Sequence, residues 1–403
     1  MYDIQKIRRD FPALSDRIDG KPNVYLDTAA SAQKPQCVIE KICQIYTHTY
    51  ANVHRGTYAL AACITEQYEN ARQVIASFLH AQSNEIVFTR GATESINLVS
   101  SSWGLQNLKS GDVILISEAE HHANLVPWQI ISHKTGAQLK IFKIADDGSF
   151  LKEEFEKSLT PNVKLVAITA MSNVLGTTFP IKDIVEKAHK IGAKVLVDAC
   201  QSIVHQKTDV QDLDCDFLCF SGHKLYGPTG IGVLYAKAEI LDTMEPYQTG
   251  GDMVDKVTYQ TTTFAAPPAR FEAGTPAAVQ AIGLGEAVKY VLNIGLDNIK
   301  THENDLISYF NARAQEFEGL KIIGTAQNKG AVFAFDFKGI HPQDLSFVLS
   351  HEGVAIRIGH HCAEPLVNRM GYQSLARASL GLYTSKEDLD LFFAALAKAS
   401  RFF

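Results

Sequence analysis

Residues 216–232, DFLCFSGHKLYGPTGIG, join a continuous apolar run to a turn rich in glycine. The run predicts a strand buried on both faces, and the glycines allow a backbone or a ligand to approach the turn closely. Lys224 lies between the two, where its amine can be presented to a pocket and can form a Schiff base with a carbonyl compound. A lysine beside glycines is more often a solvated loop residue, so a function for Lys224 depends on its neighbours.

The composition is that of an ordinary globular protein. The 403 residues are many for one core and favour two domains, or one large domain with a smaller lobe. The net charge of −6 gives no indication of a nucleic-acid partner. Residues 1–10 lack the apolar run of a signal peptide, and no later stretch is apolar for long enough to cross a bilayer. With seven scattered cysteines, which suit a reducing compartment, we expect a cytoplasmic protein without a membrane partner.

Apolar runs alternate with segments of helical periodicity through most of the chain. The predicted strands are residues 85–88, 113–116, 139–144, 165–169, 194–197 and 217–220. One predicted helical face consists of Ile64, Tyr68, Ala71, Ile75, Phe78 and Leu79. This alternation predicts an α/β protein whose sheet is mainly parallel and is flanked by helices on both faces.

The last part of the chain has a different pattern, which predicts a smaller α+β domain. Residues 258–276 hold several prolines and glycines, and we expect an irregular connection there. A long helix is predicted over 282–296. Beyond it, the predicted helices are 304–318, 342–352 and 386–401, and the predicted strands are 332–337, 355–358 and 376–382. We expect a large domain over 22–290 and a small one over 291–403, joined by the segment 1–21, whose helix around 4–10 packs on the small domain.

Polar clusters follow several of the predicted strands, at the edge where such sheets bind ligands. Ala92 and Thr93 stand at a strand-to-helix junction, where unpaired N–H groups can hold a phosphate, although a plain capped helix is the alternative. Asp198 ends another strand and can keep a ring nitrogen protonated, as in pyridoxal phosphate enzymes, or can simply cap the next loop. His121 or His122 can move protons or stack on an aromatic cofactor, and the sequence leaves open which one does so.

Cys362 is the one cysteine of the seven with a polar setting that suits a reactive thiolate. It follows two histidines and lies near Arg357, and Arg357 and Arg377 can each bind a carboxylate, as an amino acid would offer. Cys215 and Cys219 have a spacing that places both on one face of a strand, but no second pair of ligands accompanies them, so we expect no metal site.

Considered together, the motifs resemble those of the type II, Suf-type cysteine desulfurase/selenocysteine lyase family. The similarity runs essentially from end to end. The motifs that carry it are residues 25–35 (YLDTAASAQKP), 53–56 (VHRG), 120–124 (EHHAN), 198–201 (DACQ), 221–224 (SGHK), 270–276 (RFEAGTP), 357–363 (RIGHHCA) and 377–379 (RAS).

The resemblance implies a homodimeric transferase of fold type I that binds pyridoxal 5'-phosphate. By this resemblance Lys224 forms the Schiff base, His121 stacks on the ring and Cys362 is the catalytic thiol. The other cofactor-binding residues that it implies are Ala92, Thr93, Asp198, Gln201, Ser221, His223 and, from the other subunit, Thr275. The substrate-binding residues that it implies are Asn173, Arg357 and Arg377.

The implied reaction removes sulfur from L-cysteine, gives L-alanine and leaves a persulfide on Cys362. A Suf-type acceptor protein would then take the sulfur for iron–sulfur cluster assembly, and L-selenocysteine is a further candidate substrate. Cys200 stands where relatives usually carry a small residue, and residues 247–251 hold fewer glycines than usual. Transamination and a non-catalytic scaffold are the alternatives: Cys362 argues against the first, and its presence together with Lys224, His121 and Asp198 argues against the second.

Overall fold

The largest sheet has seven strands, and six of them run in the same direction. The computed structural model describes residues 2–403. Across the sheet the strands follow the order Ile86–Thr89, Gly232–Ala236, Phe217–Ser221, Lys194–Asp198, Val163–Thr169, Val113–Ser117 and Gln138–Phe142. All six predicted strands are present to within two residues at each end, so the mainly parallel sheet is confirmed.

The strand Gly232–Ala236 is the one that the sequence prediction missed, and it is antiparallel to both of its neighbours. Only ten residues separate it from the strand Phe217–Ser221. A parallel return needs a crossover of a dozen or more residues. The short connection that contains Lys224 therefore forces the chain back in the opposite direction.

Both faces of the sheet are covered, as the apolar runs predict. Alternate residues of one strand belong to different cores: Val113 and Leu115 pack into one cluster, while Ile114 and Ile116 pack into another. The helices of this part of the chain are Gln36–Gln44, Ala59–Leu79, Ala92–Val99, Leu105–Asn107, Val126–Thr135, Lys152–Ser158, Ile181–Lys190, Val210–Leu213, Ala238–Thr243 and Ala278–Ile294. Every residue of the predicted face in the helix Ala59–Leu79 is buried, so that prediction is confirmed.

Short irregular helical segments connect these elements. The 3-10 segments are Pro12–Leu14, Ser83–Glu85, His122–Asn124, Ser202–Val204 and Ala269–Phe271, and the π-helical segments are Ile45–Thr49 and Ser100–Gly104. The predicted irregular connection 258–276 is wrong in part, because Thr262–Phe264 pairs with Val254–Val257 as a hairpin. Three consecutive threonines supply the β-branched side chains that favour this strand.

The last part of the chain forms a second, antiparallel sheet with its own core. Its strands are, in spatial order, Leu320–Ile323, Val332–Phe337, Leu375–Ser379 and Arg357–Gly359. Its helices are Leu296–Gln315, Pro342–His351, Glu364–Arg369 and Lys386–Ala399. Phe310 stacks on Phe333 with 3.9 Å between ring centroids, at the centre of this core. The α+β character is as predicted.

Helix bounds in this region differ from the predicted ones. The first helix ends at Ile294 and the next begins at Leu296, because Gly295 has a φ of +89° that breaks the helical path. The predicted strand 355–358 is divided into Val354–Ala355 and Arg357–Gly359, and the first piece pairs in parallel with Val24–Tyr25.

The helix Ile4–Arg9 contacts the C-terminal part of the chain, as predicted. Arg8 donates to the carbonyl oxygen of Tyr383 at 2.8 Å and pairs with Asp388. Arg17–Ile18 then pairs with Lys21–Pro22 as a short hairpin. The division at residue 290 stays a prediction.

A buried ion pair ties the longest helix to the segment that follows the hairpin. The Arg72 guanidinium donates to both carboxylate oxygens of Glu272, at 2.6 and 2.9 Å, and both side chains are less than a tenth exposed. Glu272 also accepts the N–H of Phe88 at 2.7 Å and the hydroxyl of Tyr68 at 2.9 Å. A helix, an edge strand and the 269–271 turn are therefore joined at one carboxylate.

We expect Arg72→Met to lower the free energy of unfolding by about 3 kcal/mol, because it leaves the Glu272 carboxylate buried without its cation. The double variant Arg72→Met/Glu272→Gln should lose less free energy of unfolding, because it has no buried carboxylate without a cation. Urea titration of the three proteins measures this. Glu69→Gln is the matched control, because Glu69 also bonds Arg72 but is 46% exposed, and it should cost less than about 1 kcal/mol. Equal losses for Arg72→Met and Glu69→Gln would contradict the assignment.

Candidate active site

A cavity of about 180 Å³ lies beyond the carboxyl ends of the central strands. It is lined by Ala29, Ala30, Ala92, Thr93, His121, Ala123, Thr169, Met171, Asn173, Asp198, Cys200, Gln201, Ser221, His223, Lys224, Arg357, His361, Cys362 and Arg377. The structure thus brings together every predicted site residue except Thr275. Thr275 lines a separate cavity of about 360 Å³ with Thr89 and Glu94.

One end of the cavity is formed by the start of the helix Ala92–Val99. Gly91 caps this helix without a side chain, and the Ala92 N–H donates to Ser221 Oγ at 2.9 Å. A Cβ on Gly232, in the neighbouring strand, would lie 2.4 Å from the Gly91 Cα, so only glycine allows the two backbones this approach. The remaining N–H groups of the first turn, with Thr93 beside them, form a site that suits an anion.

The opposite wall carries a buried carboxylate. Asp198 is 4% exposed and accepts the backbone N–H of Cys200 at 3.0 Å, and no Lys, Arg or His within residues 2–403 forms a salt bridge with it. Gln201 donates from Nε2 to the carbonyl oxygen of Ala29 at 2.8 Å. A buried carboxylate without a cation is costly, so Asp198 suits a bound group that offers it a positively charged N–H.

The structure separates the two adjacent histidines that the sequence left open. His121 lines the cavity, and burial together with the charge of Lys224 lowers its pKa to about 4, so its ring is neutral near pH 7. His122 instead contacts the loop that carries Cys362: its N–H donates to the Cys362 carbonyl oxygen at 2.7 Å. His121 is therefore the histidine that can stack on a ligand in the cavity.

Lys224 lies three residues after the end of the strand Phe217–Ser221, and its backbone is held by a segment near the N-terminus. The carbonyl oxygen of His223 accepts the Ala32 N–H and the Lys34 ammonium, each at 3.0 Å. Ser31 Oγ lies 3.2 Å from His223 Nδ1. Lys34 was not predicted as a site residue, and its only signal in the sequence is its place in the 25–35 motif.

The two predicted substrate arginines share the carboxylate of Asp27, which was not predicted as a site residue. Arg377 is 2% exposed, donates to the Asn173 carbonyl oxygen at 2.9 Å and to Asp27 Oδ1 at 3.1 Å, and has a buried Nε without a partner. Arg357 lies 4.0 Å from the other oxygen of Asp27 and is 46% exposed. A substrate carboxylate can therefore meet guanidinium groups that are already oriented.

Cys362 lies on a short loop between the strand Arg357–Gly359 and the helix Glu364–Arg369, and it is exposed. The Asn173 side-chain amide donates to the His361 carbonyl oxygen at 2.7 Å, and His361 Nε2 lies 3.1 Å from the Leu375 carbonyl oxygen. An accessible thiol consequently borders the same cavity as an amine, a buried carboxylate and two guanidinium groups.

Three histidines of the site are kept neutral chiefly by burial. The pKa is lowered to about 4 for His121 and His223 and to about 3 for His361. An unfolded histidine titrates near 6.5, so the folded protein binds fewer protons than the unfolded chain between about pH 6.5 and 4. The stability that these neutral rings contribute is lost as the pH falls through that window.

When the pH falls from 6.5 to 5, we expect His223→Asn to lose about 1 kcal/mol less free energy of unfolding than the parent protein. The reason is that the variant lacks one histidine whose pKa is lowered by folding. Urea titrations at several pH values measure the difference. His54→Asn is the control of opposite sign: a hydrogen bond to Glu69, with one to Asp252, raises the pKa of His54 despite partial burial. That variant should lose stability more steeply, and equal slopes in all three proteins would refute the assignment.

Within residues 2–403, no helix is long and apolar enough to cross a membrane, and no cluster of three or more His, Cys, Asp or Glu is placed to hold a metal ion. Cys215 and Cys219 are buried in the sheet region, where burial raises the pKa of both thiols.

Comparison with known proteins gives matches over the whole chain. Residues 24–392 match the family model described as aminotransferase class-V. The chain is 48% identical over 398 residues to a cysteine desulfurase of Synechococcus elongatus, covering 98% of this chain but only 64% of that longer protein. It is also 48% identical over 402 residues to a cysteine desulfurase of Dickeya dadantii, covering 99% of this chain and 97% of that one.

The fold matches that of the cysteine desulfurase CsdA from Escherichia coli with a TM-score of 0.93 and 38% sequence identity. The match covers 100% of this chain and 99% of CsdA. This likeness confirms the fold predicted from the sequence, including the α+β part that supplies Cys362.

Proposed function

Because this chain belongs to the aminotransferase class-V family, we propose that it is a cysteine desulfurase that holds pyridoxal 5'-phosphate in the cavity around Lys224. The observation that carries the proposal is the position of Cys362, an exposed thiol at the edge of the cavity that contains Lys224 and Arg377. Transamination on the same fold has no use for a thiol there. The full-length likeness to relatives called cysteine desulfurases supports the proposal.

The residues present fit pyridoxal phosphate. The start of the helix Ala92–Val99, which has no side-chain cap, suits the phosphate, with Thr93, Ser221 and His223 around it. Within residues 2–403 Asp198 forms no salt bridge, so it suits the ring N–H. The neutral His121 ring suits stacking on the cofactor, and Gln201 would donate to its phenolic oxygen, while Lys224 would bind its aldehyde group.

Different residues of the chain perform different steps of the proposed reaction. When bound, pyridoxal phosphate supplies an electron sink that stabilises negative charge at the substrate Cα. Arg377, Arg357 and Asn173 bind the substrate carboxylate and orient the amino acid. The Lys224 amine removes the Cα proton as a general base. Burial keeps His121 unprotonated, so it can accept a proton from an incoming substrate group.

Cys362 performs the step that defines the reaction. Its thiolate attacks the substrate sulfur, a sulfur–sulfur bond forms, and the carbon–sulfur bond breaks with its electron pair left on carbon. That carbon takes up a proton, so L-cysteine and the Cys362 thiol become L-alanine and a Cys362 persulfide. Atoms and electrons balance without an added oxidant or reductant.

We expect mass spectrometry of the Cys362 peptide to show one added sulfur atom after the cofactor-loaded protein is treated with L-cysteine. L-Alanine should form in equal amount during the first turnover. Cys43 and Cys63 are exposed thiols on the same chain and serve as internal controls that stay unmodified.

The variant Cys362→Ala should retain the cofactor absorbance and lose sulfur transfer. Sulfide release at the parent rate from Cys362→Ala, with a physiological acceptor present, would refute the proposed role of this residue. A purified protein that takes up no pyridoxal phosphate would refute the proposed function as a whole.

We further propose that a Suf-type acceptor protein takes the sulfur for iron–sulfur cluster assembly. The Cys362 loop is short and is bonded to the rest of the chain at His361 and Cys362, which limits its reach. An acceptor must therefore bring its own thiol to the exposed Cys362. A cytoplasmic location suits this chemistry, and all seven cysteines are free thiols.

L-Selenocysteine is the second candidate substrate. Nothing in the carboxylate contacts of Arg357 and Arg377 distinguishes sulfur from selenium, because those contacts hold the other end of the amino acid. The ratio of L-alanine formation from the two amino acids, measured at equal concentrations, tests this candidate.

We also propose a homodimer in which each subunit completes the phosphate site of the other with Thr275. Two observations support it: Thr275 does not line the cavity of its own chain, and the exposed apolar side chains include Tyr46, Tyr50, Tyr58 and Leu60 on neighbouring N-terminal segments. Exposed apolar side chains that are close in sequence, of which Tyr46 and Tyr50 have ring centroids 5.4 Å apart, are typical of a surface that a partner covers.

Mixing two inactive proteins tests this arrangement. Lys224→Ala lacks the amine, and Thr275→Asp places a carboxylate against the phosphate. If Thr275 acts across the interface, refolding the two variants together should restore activity in mixed dimers, because one site then has both native residues. Thr261→Asp, on the nearby hairpin, is the control that should remain active alone. If Thr275 served its own chain, the mixed dimers would still hold one defect in every site and stay inactive.

A further inference from the structure

The loop that carries Cys362 has a strained backbone. His361 and Cys362 have φ values of +53° and +56°, in the left-handed region that residues other than glycine rarely adopt. Such conformations persist only where the surrounding structure holds them. The position of the thiol above the cavity therefore depends on the bonds that the loop receives.

His122 supplies two of these bonds, both just C-terminal to the Cys362 Cα. Its backbone N–H donates to the Cys362 carbonyl oxygen at 2.7 Å, and its ring Nε2 accepts the backbone N–H of Glu364 at 3.1 Å. Glu364 begins the helix Glu364–Arg369, whose cap residue Ala363 offers no side-chain bond. The His122 ring thus satisfies an N–H group that has no partner within its own helix.

The direction of the hydrogen bond from Glu364 shows that Nε2 of His122 carries no proton. A backbone N–H can only donate, so Nε2 of His122 must be an unprotonated acceptor. Its neighbour His121 lines the cavity, while His122 faces the loop. Two adjacent histidines therefore have separate tasks, and nothing in the proposed chemistry requires His122 to contact substrate or cofactor.

We propose that His122 is a positioning residue: its ring nitrogen holds the strained Cys362 loop so that the thiol reaches the substrate sulfur. This inference rests on the proposed function for its catalytic consequence, but the structural part stands on the His122–Glu364 bond alone. Loss of the acceptor frees the start of the helix Glu364–Arg369 and allows the backbone at Cys362 to relax.

Hydrogen exchange of the cofactor-loaded protein tests the structural part directly. His122→Leu and His122→Met have no acceptor, while His122→Gln places an amide oxygen where Nε2 lies. In the two apolar variants, amides of the peptide 360–366 should exchange about tenfold faster, as expected for the loss of one hydrogen bond. His122→Gln should remain close to the parent protein. The second apolar variant keeps the test available if the first does not fold.

Kinetics test the catalytic part and separate it from a general structural defect. In His122→Leu, persulfide formation on Cys362 should slow by about tenfold with little change in KM. Exchange of the L-alanine Cα proton with solvent needs Lys224 and the cofactor but not Cys362, so it should be unchanged. His122→Gln should restore the rate.

Unchanged exchange at 360–366 in the apolar variants would overturn the inference, as would a His122→Gln protein that behaves like His122→Leu. Equal loss of the Cα exchange and of persulfide formation would also overturn it, because the ring would then support the whole cavity. Failure of the proposed function has a different signature: the parent protein itself would form no Cys362 persulfide, whatever the hydrogen exchange shows.

Discussion

Burial at the strand ends governs the charge of the titratable groups around the cavity. Burial keeps His121 and His223 neutral by lowering the pKa of each to about 4, and the positive charge of Lys224 adds to both effects. The same burial raises the pKa of Glu120, which lies under the His121 segment, to about 8. Among the side chains that line the cavity, cationic charge is thereby confined to Lys224, Arg357 and Arg377, which is where the chemistry of an amino acid with a carbonyl cofactor needs it.

This buried site depends on contacts between parts of the chain that are far apart in sequence. Gln201 bonds to Ala29, and the carbonyl of His223 bonds to Ala32 and Lys34. Residues 29–34 therefore contact both Gln201 and the residue that precedes Lys224. Because Asp27, two residues before this segment, also bonds Arg377, residues 27–34 connect the backbone beside Lys224, the arginine that binds carboxylate and Gln201.

The sequence predicts the sheet and most of the site, because both depend on local signals. Apolar runs reveal buried strands, and polar residues directly after them, such as Asp198 and Ser221, must meet at one edge. Asp27 and Lys34 were missed as site residues because their roles exist only through contacts with Arg377 and His223, which are more than 180 residues away. The direction of the strand Gly232–Ala236 was missed because it follows from the length of a connection.

The adjacent residues His121 and His122 show a second limit on what can be predicted from the sequence. Both are histidines in one motif, and composition cannot tell which one faces the cavity. The choice follows from the backbone at the 3-10 segment His122–Asn124, where His121 Nδ1 accepts the Ala123 N–H at 3.0 Å and so caps the turn. That bond places His121 on the cavity side and leaves His122 to contact the loop. Orientation at a strand end is thus decided by a local hydrogen bond that residue type alone does not reveal.

Two thiols line the cavity, and burial decides which of them can react. Cys200 is 8% exposed, and burial raises the pKa of its thiol to about 12, so it stays protonated beside Ser221. A protonated, enclosed thiol is a poor nucleophile, because the thiolate is the attacking species. Cys362 is exposed and lies on a loop that His122 holds through the Cys362 carbonyl oxygen and the Glu364 N–H. The departure from the usual small residue at position 200 therefore changes the wall of the cavity without adding a competing nucleophile.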